Sequence, residues 1–397
     1  TGMRPAQRAV LVQVASFILY GAQVNSARAE SFFDKFKDPE DGAFDASAWL
    51  YDVKGFLPVP IIITEPAVGF GLGGAAVFFH ETEAERARAR KQMRSGTPSD
   101  ESERAPPPSL SAVFGAYTEN GTWLAGGAHR GVWKDDSVRY IGALAAASIN
   151  LTFYGLGEDS EPRHGNGLDF NGEGWFTLHE ALFRVGESNF FLGGRFDYME
   201  VNISFDDGDR IPDVPEDQLE TTSTAGFGVL AGYDSRDNTF SPDSGVFAQA
   251  EAILHSGNFL GDFTYQSYKA HGLFYWPVPD FGVVGWRLDG RFARGDAPFY
   301  ALPFIDLRGI PAMRYQGDDV LVTELEARWD FKNRWSLVGF GGLGHATDDF
   351  SELLDTDDWK ATYGFGLRYL LARALGMRAG FDIARGPEDT TFYLQFG

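Results

Sequence analysis

Apolar and polar residues alternate with a period of two along most of the chain from residue 67 to the C-terminus. In residues 283–294 the apolar side chains share one parity and the charged ones the other: Val284, Trp286, Leu288 and Phe292 against Arg287, Asp289 and Arg291. Residues 321–331 and 361–371 repeat the pattern. Because successive side chains of a β-strand point to opposite faces, this alternation predicts strands with one apolar and one polar face.

A soluble β-sandwich would show the same alternation, so strand length and aromatic placement have to decide between the two classes. The segments run about 10–13 residues, which is longer than the usual strand of a soluble sheet. Trp and Tyr lie near the ends of the apolar faces, as the aromatic girdles of a membrane barrel require. We therefore predict an all-β fold, a single antiparallel transmembrane β-barrel.

Fifteen such segments can be counted back from the C-terminus. A single-chain bacterial barrel should have an even number of strands and both ends in the periplasm, so we predict sixteen strands. The missing strand should lie between residues 46 and 65, with the apolar run 60–64 as the best candidate. This orientation puts the long connections outside the cell: 206–220, 255–262, 295–318 and 346–358. For the charged, Ser- and Pro-rich insert at 80–108 the sequence predicts no side of the membrane.

The N-terminus contains the three parts of a secretory signal peptide. Thr1-Gly2 resembles a cloning remnant, and the signal follows it in order: the basic Arg4 and Arg8, the apolar residues 9–21, and small residues at 27 and 29 for cleavage. We therefore expect residues 1–29 to be removed and the protein to be exported to the periplasm and the outer membrane.

Residues 30–58 are too few for an ordinary domain. They carry Phe and Trp side chains at roughly helical spacing. We predict a short N-terminal segment that is either a plug in the barrel lumen or a helix at the periplasmic membrane face. Residues 59–397 are then the barrel, interrupted by the mobile charged insert at 80–108.

Composition excludes several function classes. The net charge of -22 argues against nucleic-acid binding, which needs a basic face. The mean hydropathy of -0.22 excludes a helical membrane protein but not a barrel, whose strands are only half apolar. The chain has no Cys, no G-x-S-x-G nucleophile motif and no His pair at metal-ligand spacing. We predict that it is not an enzyme and binds no metal or cofactor.

Several segments in the second half resemble signature segments of the BamA/TamA-type outer-membrane assembly-factor (bacterial surface antigen) superfamily. They are the Arg-Gly motif of the sixth extracellular loop at 307–310, a periplasmic turn at 233–245, a Glu-bearing strand at 324–328, the closing strands at 364–369 and 380–384, and the aromatic-terminated last strand at 392–397. The resemblance covers roughly residues 230–397, and a weaker match lies at residues 65–71. It implies a barrel-only member without periplasmic POTRA domains.

The loop motif consists of Arg308, Gly309 and Ile310. The resemblance implies that this loop folds back into the lumen and that Glu326 is the partner of Arg308. An Arg inside a lumen needs such a carboxylate, because an unpaired buried charge is costly. Gly309 would allow a tight turn against the barrel wall.

The alternation along 321–331 places Glu324, Glu326 and Arg328 on the lumen side of their strand. Members of the superfamily often carry a second carboxylate partner for the loop Arg, in a Phe-x-Asp-x-Gly pattern on the next strand. Here Gly342 stands at that position. We therefore expect the link to Arg308 to rest on the strand of Glu324 and Glu326 alone.

The periplasmic turn motif includes Asp234, Arg236 and Asp237. We expect a local network of charge pairs and backbone caps there. An ordinary Asx-type turn explains the same residues nearly as well. Either interpretation makes the motif structural.

Three functions remain open for an outer-membrane location. The resemblance implies a role in inserting or transporting protein or lipid, although assembly factors of this type carry periplasmic domains that receive their clients. A gated, porin-like channel is the alternative, with lumen charges setting its selectivity. An outer-membrane hydrolase is the second alternative, but no Ser–His arrangement supports it. The expected partners are outer-membrane lipid and lipopolysaccharide, the machinery that inserts the barrel itself, and a possible periplasmic protein.

Overall fold

The computed structural model describes residues 36–38, 40–47, 49, 56–80, 109–155, 167–205, 221–355 and 358–396. These residues form one antiparallel sheet of 16 strands in sequence order. The strands are β1 (Leu57–Ile63), β2 (Gly71–Phe79), β3 (Leu110–Thr118), β4 (Trp123–Trp133), β5 (Val138–Phe153), β6 (Leu168–Arg184), β7 (Phe190–Phe205), β8 (Thr221–Asp234), β9 (Gly245–His255), β10 (Tyr265–Val278), β11 (Gly282–Gly295), β12 (Asp319–Lys332), β13 (Trp335–Thr347), β14 (Lys360–Ala372), β15 (Met377–Arg385) and β16 (Thr390–Phe396). Short 3-10 helices lie at Phe299–Ala301, Phe350–Glu352 and Arg373–Leu375.

The predicted count of sixteen strands is confirmed, and the missing strand is β1, inside the predicted interval. The predicted start of β2 at residue 67 is wrong. Residues 64–70 form a connection instead. The N–H of Val68 donates to the carbonyl of Glu65 at 3.2 Å, and Gly69 has a φ of 76°, in the left-handed region. Among the described residues no helix is long and apolar enough to cross a membrane.

The outer face of the sheet is mostly apolar. In β13 every second residue from Trp335 to Leu343 is exposed, whereas Val338 and Phe340 between them are buried. A soluble protein would not leave such a belt in contact with water. The belt matches the lipid-facing band of a transmembrane barrel.

The connections alternate between two ends of the sheet. One end, here named the turn face, carries the C-terminus and the short connections 134–137, 185–189, 279–281 and 333–334. The other end, the loop face, carries the connections at 154–167, 206–220, 296–318 and 348–359. The strands that flank the insert reach the turn face, because β2 ends there at Phe79 and β3 begins there at Leu110. The insert itself (81–108) and the predicted signal peptide (1–29) lie outside the described residues.

Candidate functional site

The connection between β11 and β12, residues 296–318, is the sixth on the loop face and is named loop 6 here. Its side chains pack against two separate parts of the wall. Phe299 and Met313 are buried with residues of β5, β6 and β7: Phe153, Phe170 and Ile203. Ile305, Leu307 and Ile310 are buried with two residues of β12: Val320 and Val322. Apolar burial therefore holds the outer parts and the middle of the loop against strands that are far apart in the sheet.

Arg308 directly follows Leu307 of the second cluster and contacts three carboxylates. Its Nη2 is 2.7 Å from Glu324 Oε1 and 2.8 Å from Glu326 Oε2, and its Nη1 is 2.8 Å from Asp382 Oδ2. The guanidinium carbon also lies 3.5 Å from the ring centroid of Phe340, in a cation–π geometry. The planar fork of an Arg suits this arrangement, because it offers several N–H donors in fixed directions.

Asp382 on β15 corrects the expectation that the link to Arg308 would rest on β12 alone. Its side chain is fully buried and also accepts a hydrogen bond from Arg368 Nη2 at 2.9 Å. The position where the superfamily often carries its second carboxylate is Gly342, and a Cβ there would lie 2.8 Å from Leu307 Cδ2. Gly342 therefore leaves room for loop 6, and the carboxylate comes from a different strand.

Gly309 has a φ of 97°, in the left-handed region that favours glycine. A Cβ at this residue would lie 2.8 Å from the backbone nitrogen of Gly386, in the last loop-face connection. The N–H of Gly309 donates to the hydroxyl of Tyr393 on β16 at 2.7 Å. The glycine thus brings the loop backbone against both the last connection and the last strand.

Loop 6 also contacts the first connection, next to β1. The N–H of Ala312 donates to Glu65 Oε1 at 3.2 Å. Burial raises the pKa of Glu65, and the hydrogen bonds from Ala312 and Ala67 only partly oppose that effect. Through Tyr393 and Glu65, loop 6 contacts the two ends of the strand order.

Those two ends do not pair with each other. β1 pairs only with β2 and β16 only with β15, and over the described residues no backbone pairing joins β1 to β16. We name this gap the seam. Gly309 lies beside it, because its N–H donates to Tyr393 on β16, and Arg308 contacts Asp382 on the neighbouring strand β15.

Arg328, predicted with the lumen residues of β12, does not contact Arg308. It forms an ion pair with Asp243, in the turn between β8 and β9, and another with Asp330 at 3.2 Å. It therefore connects the inner wall of β12 to the turn face, away from loop 6.

The turn motif lies at that same end of the barrel. Asp234 Oδ1 is 2.9 Å from Arg236 Nε, and its Oδ2 is 3.0 Å from Arg139 Nη1 on β5. Asp237 accepts hydrogen bonds from the backbone N–H of Asp243 at 3.0 Å and from the hydroxyl of Ser244 at 3.1 Å. The turn thus combines local caps with one long-range charge pair that sequence reasoning missed.

The described part of the N-terminal segment is bound at the turn face. Arg334, between β12 and β13, lies 2.7 Å from Asp41 Oδ2 and 2.6 Å from Asp45 Oδ2, and also pairs with Asp38. The carbonyl of Phe44 accepts a hydrogen bond from the hydroxyl of Tyr369, an outward-facing residue of β14. These contacts hold the described residues within 38–45 at the turn face, and the position of the whole segment 30–58 stays a prediction.

No family model and no curated protein sequence matches the chain. Solved structures do. BamA from Haemophilus ducreyi lacking POTRA domains 1-3 aligns with a TM-score of 0.53 at 11% identity, over 92% of this chain and 82% of that one. The chain has the barrel fold of BamA. The predicted fold class, a single antiparallel barrel of this type, is therefore confirmed.

CdiB is also similar to this barrel. CdiB from Acinetobacter baumannii aligns with a TM-score of 0.49 at 9% identity, over 86% of this chain and 59% of that one. CdiB from Escherichia coli aligns with a TM-score of 0.48 at 11% identity, over 85% and 61%. This chain thus spans less than two thirds of the length of either CdiB chain.

Proposed function

We propose that this protein lies in the bacterial outer membrane and inserts or transports protein or lipid there through the seam between β1 and β16. The observation that carries the proposal is the position of loop 6. In a sheet that is otherwise paired from strand to strand, loop 6 binds one residue beside each unpaired edge, Tyr393 on β16 and Glu65 after β1.

An unpaired strand edge is expensive inside a membrane. Lipid cannot satisfy backbone N–H and C=O groups, so each one left open costs free energy. An extended segment of another chain can satisfy them by adding a strand to the sheet. A client strand that enters the barrel wall at the seam would therefore gain hydrogen bonds. Its entry would also disturb the contacts of loop 6 with Tyr393 and Glu65.

The two edges of the seam are not equivalent. Pro58 and Pro60 lie in β1 opposite Ala76 and Gly74 of β2. A proline has no N–H, so the hydrogen bonds to β2 are made by the residues that alternate with the two prolines. The backbone nitrogens of both prolines then point towards the seam, where a donor is missing at each. The free edge of β1 is thus poor in donors, whereas β16 contains no proline. We infer that a client strand pairs with β16.

A gated channel is the second candidate, and a separate group of charges favours it. Asp306 in loop 6 lies 2.7 Å from Arg291 and 3.2 Å from Arg287, both on β11. These pairs tie the loop to charges that would otherwise line an open bore. On this hypothesis, single-channel recordings should show low, intermittent conductance in the intact protein and steady, larger pores after deletion of residues 300–316.

The protein has no cysteine, which permits a direct test of the seam. We would place one cysteine in Leu57–Ile63 and one in Thr390–Phe396, scan pairs for those that oxidise, and reconstitute the locked and reduced forms in liposomes. An unfolded eight-stranded outer-membrane barrel is the probe, and its rate of folding into the liposomes is measured.

The proposal predicts faster folding of the probe with the reduced protein than with empty liposomes, and loss of that acceleration on oxidation. Single-cysteine variants under the same oxidant are the control. Equal rates in locked and reduced forms would contradict the role of the seam. No acceleration in either form, together with steady conductance of the intact barrel, would favour the channel.

The partners follow from the same location. The apolar outer belt would be in contact with membrane lipid, and the loop face with lipopolysaccharide if that face is extracellular. The N-terminal segment bound at Arg334 would lie on the periplasmic side, where it could meet a periplasmic protein.

A further inference from the structure

A row of polar side chains crosses the outer, lipid-facing surface of β3 to β6. Ser111, His129, Gly142 and His179 are successive cross-strand partners, and Phe196 on β7 continues the row. They share the parity of exposed apolar residues on the same strands: Val113, Trp133, Leu144, Phe183 and Phe190. The row therefore faces lipid and not the lumen.

Hydrogen bonds join the polar side chains of this row in two groups. His80 Nε2 lies 2.8 Å from Ser111 Oγ, which lies 2.9 Å from His129 Nδ1. The hydroxyl of Tyr140 lies 2.8 Å from His179 Nδ1. His179 Nε2 lies 3.2 Å from the hydroxyl of Thr177. Three of the seven His of the chain thus meet on one patch of the outer wall.

Gly142 gives Tyr140 its place in the row. A Cβ on Gly142 would lie 2.5 Å from the hydroxyl oxygen of Tyr140, so the ring can lean over this residue only because it is a glycine. The Tyr140 ring then lies between His129, with ring centroids 6.2 Å apart, and His179, also at 6.2 Å. The Tyr140 ring thus occupies the space between the two histidines, with its hydroxyl bonded to His179.

Membrane stability alone does not explain such a row. Polar side chains that face lipid reduce the stability of a barrel, and aliphatic residues would serve better at these positions. Among the described residues, Nε2 of His129 and Nδ1 of His80 have no hydrogen-bond partner. The row itself contains no carboxylate, so its open groups suit an anionic ligand.

An apolar groove continues the row on the outer surface. It has a volume of about 360 Å³, and the residues that line it include Tyr140, His179, Ala181, Gly194, Phe196 and Phe227. The small residues Ala181 and Gly194 leave space among the aromatic rings. Glu180 and Arg195 also border the groove, but their parity is that of the inner face. This shape and lining fit a hydrocarbon chain.

The polar and apolar ends lie at different depths. Because barrel strands tilt by about 40°, a row perpendicular to them changes depth by about 3 Å per strand. His80 directly follows β2 and Ser111 is near the start of β3, both at the turn face, whereas His179 and Phe196 are well inside β6 and β7. The row thus runs from the membrane interface into the hydrocarbon.

We propose that the polar row and its groove bind an anionic phospholipid of the leaflet at the turn face. Ser111 donates its hydroxyl hydrogen to His129 Nδ1, so the headgroup phosphate accepts a hydrogen bond from the free Nε2–H of His129. One acyl chain lies in the groove between His179 and Phe227. The order of chemistry along the row, polar at the interface and apolar below it, is the order within a phospholipid.

Native mass spectrometry of the purified full chain tests this site. Phosphatidylglycerol and phosphatidylcholine of the same chain length are the probes. We expect phosphatidylglycerol to be retained preferentially and its occupancy to fall about tenfold in His129→Ala, the effect of losing one hydrogen bond to a charged group. Gly142→Ala should lower it as well, by displacing the hydroxyl of Tyr140.

Matched controls lie on the opposite side of the barrel. Gly339→Ala adds a methyl group where nothing lies within 4 Å, and Tyr363→Phe removes an exposed hydroxyl of β14. Both should bind phosphatidylglycerol like the parent protein. Tyr140→Phe removes a single oxygen, so it replaces Gly142→Ala if that variant fails to show the folded mobility on unboiled gels.

Three results would overturn the proposal. The first is equal retention of the two lipids by the parent protein. The second is unchanged phosphatidylglycerol occupancy in folded His129→Ala and Tyr140→Phe. The third is a dimer that the same variants dissociate, which would assign the patch to a second copy of this chain.

Discussion

Arg308 Nη1 lies 2.8 Å from Asp382 Oδ2, and this contact ties loop 6 to the penultimate strand of the barrel. The same guanidinium contacts Glu324 and Glu326 on β12. One side chain therefore bridges β12 and β15 across the inner wall, next to the unpaired edge of β16. A client strand that rearranged β15 and β16 would act directly on this contact.

The first prediction concerns the relative weight of the three carboxylates. The side chain of Asp382 is 0% exposed and that of Glu326 is 36% exposed. Removing one partner of a buried ion pair costs about 3–5 kcal/mol, whereas exposed pairs are worth far less. We expect Arg308→Ala to lower the free energy of unfolding by that larger amount, and Glu326→Gln to have a much smaller effect.

A double-mutant cycle with Asp382→Asn measures the coupling. Arg308 and Asp382 share one interaction, so the double variant should be less destabilised than the sum of the two single variants. The stabilities are measured from the temperature at which half of the protein loses the gel mobility of the folded barrel, calibrated against unfolding in urea. Additive effects would show that the two residues do not interact. Arg368, the other partner of Asp382, would then be the residue that compensates its buried charge.

The second prediction concerns Gly309. Gly309 has a φ of 97°, and a Cβ on this residue would lie 2.8 Å from the Gly386 nitrogen. Gly309→Ala therefore requires both backbone strain and a shift of the last connection. We expect a loss of stability of about 1–3 kcal/mol and faster proteolysis within loop 6. Gly339→Ala has open space around its new methyl group and should leave both measurements unchanged.

The third prediction is a pH dependence of the N-terminal segment. Burial alone would raise the pKa of Asp45, but hydrogen bonds from Ser47 and Arg334 outweigh it and lower that pKa below its ordinary value of 3.8. A lowered carboxyl pKa contributes stability that is complete above the ordinary value and is lost as the pH falls through the lower folded value. Binding of residues 36–47 to the turn face should therefore hold from neutral pH down to 3.8 and fail below it.

Hydrogen exchange of residues 36–47 measures this binding. In Arg334→Gln the segment should exchange fast at every pH, because the common partner of Asp38, Asp41 and Asp45 has lost its charge. Release that begins well above 3.8 in the parent protein would contradict the ion-pair explanation.

The fourth prediction concerns the prolines of β1. Replacing Pro58 and Pro60 by Val restores two N–H donors on the edge that faces β16. If both find acceptors across the seam, the barrel should gain about 1–3 kcal/mol and accelerate client folding less. Pro277→Val, near the end of β10 and away from the seam, is the control. An unchanged stability of the double variant relative to this control would show that the prolines do not keep the seam open.

Much of the barrel could be predicted because each strand carries its own evidence. In β11 and β12 the alternation of apolar and charged residues fixes which side faces lipid without knowledge of the neighbours. The even strand number of bacterial barrels predicts a strand at the run 60–64, and β1 extends from Leu57 to Ile63. The start of β2 was wrong because residues 67–70 are as apolar as a strand, while the turn at Gly69 depends on backbone geometry.

The candidate site was harder to predict because its contacts are long-range. Glu324 and Glu326 follow from parity on β12, next to loop 6 in the sequence. Asp382 and Tyr393 lie 74 and 84 residues from their partners, and Glu65 lies 247 residues from Ala312. No local pattern gives such distances. The available signal was Asp382 itself, an acidic residue on the inner parity of β15.

The most direct test of the central claim asks which edge of the seam a client strand contacts. The probe is an unfolded eight-stranded outer-membrane barrel with one cysteine in its terminal strand, added to liposomes that contain the protein with a single cysteine in β16 or in β1. We predict disulfide adducts to cysteines placed along Thr390–Phe396 and few to those along Leu57–Ile63, because only β16 presents an edge without prolines. Adducts that form mainly with β1, or that form equally with a cysteine in β9 far from the seam, would contradict the account.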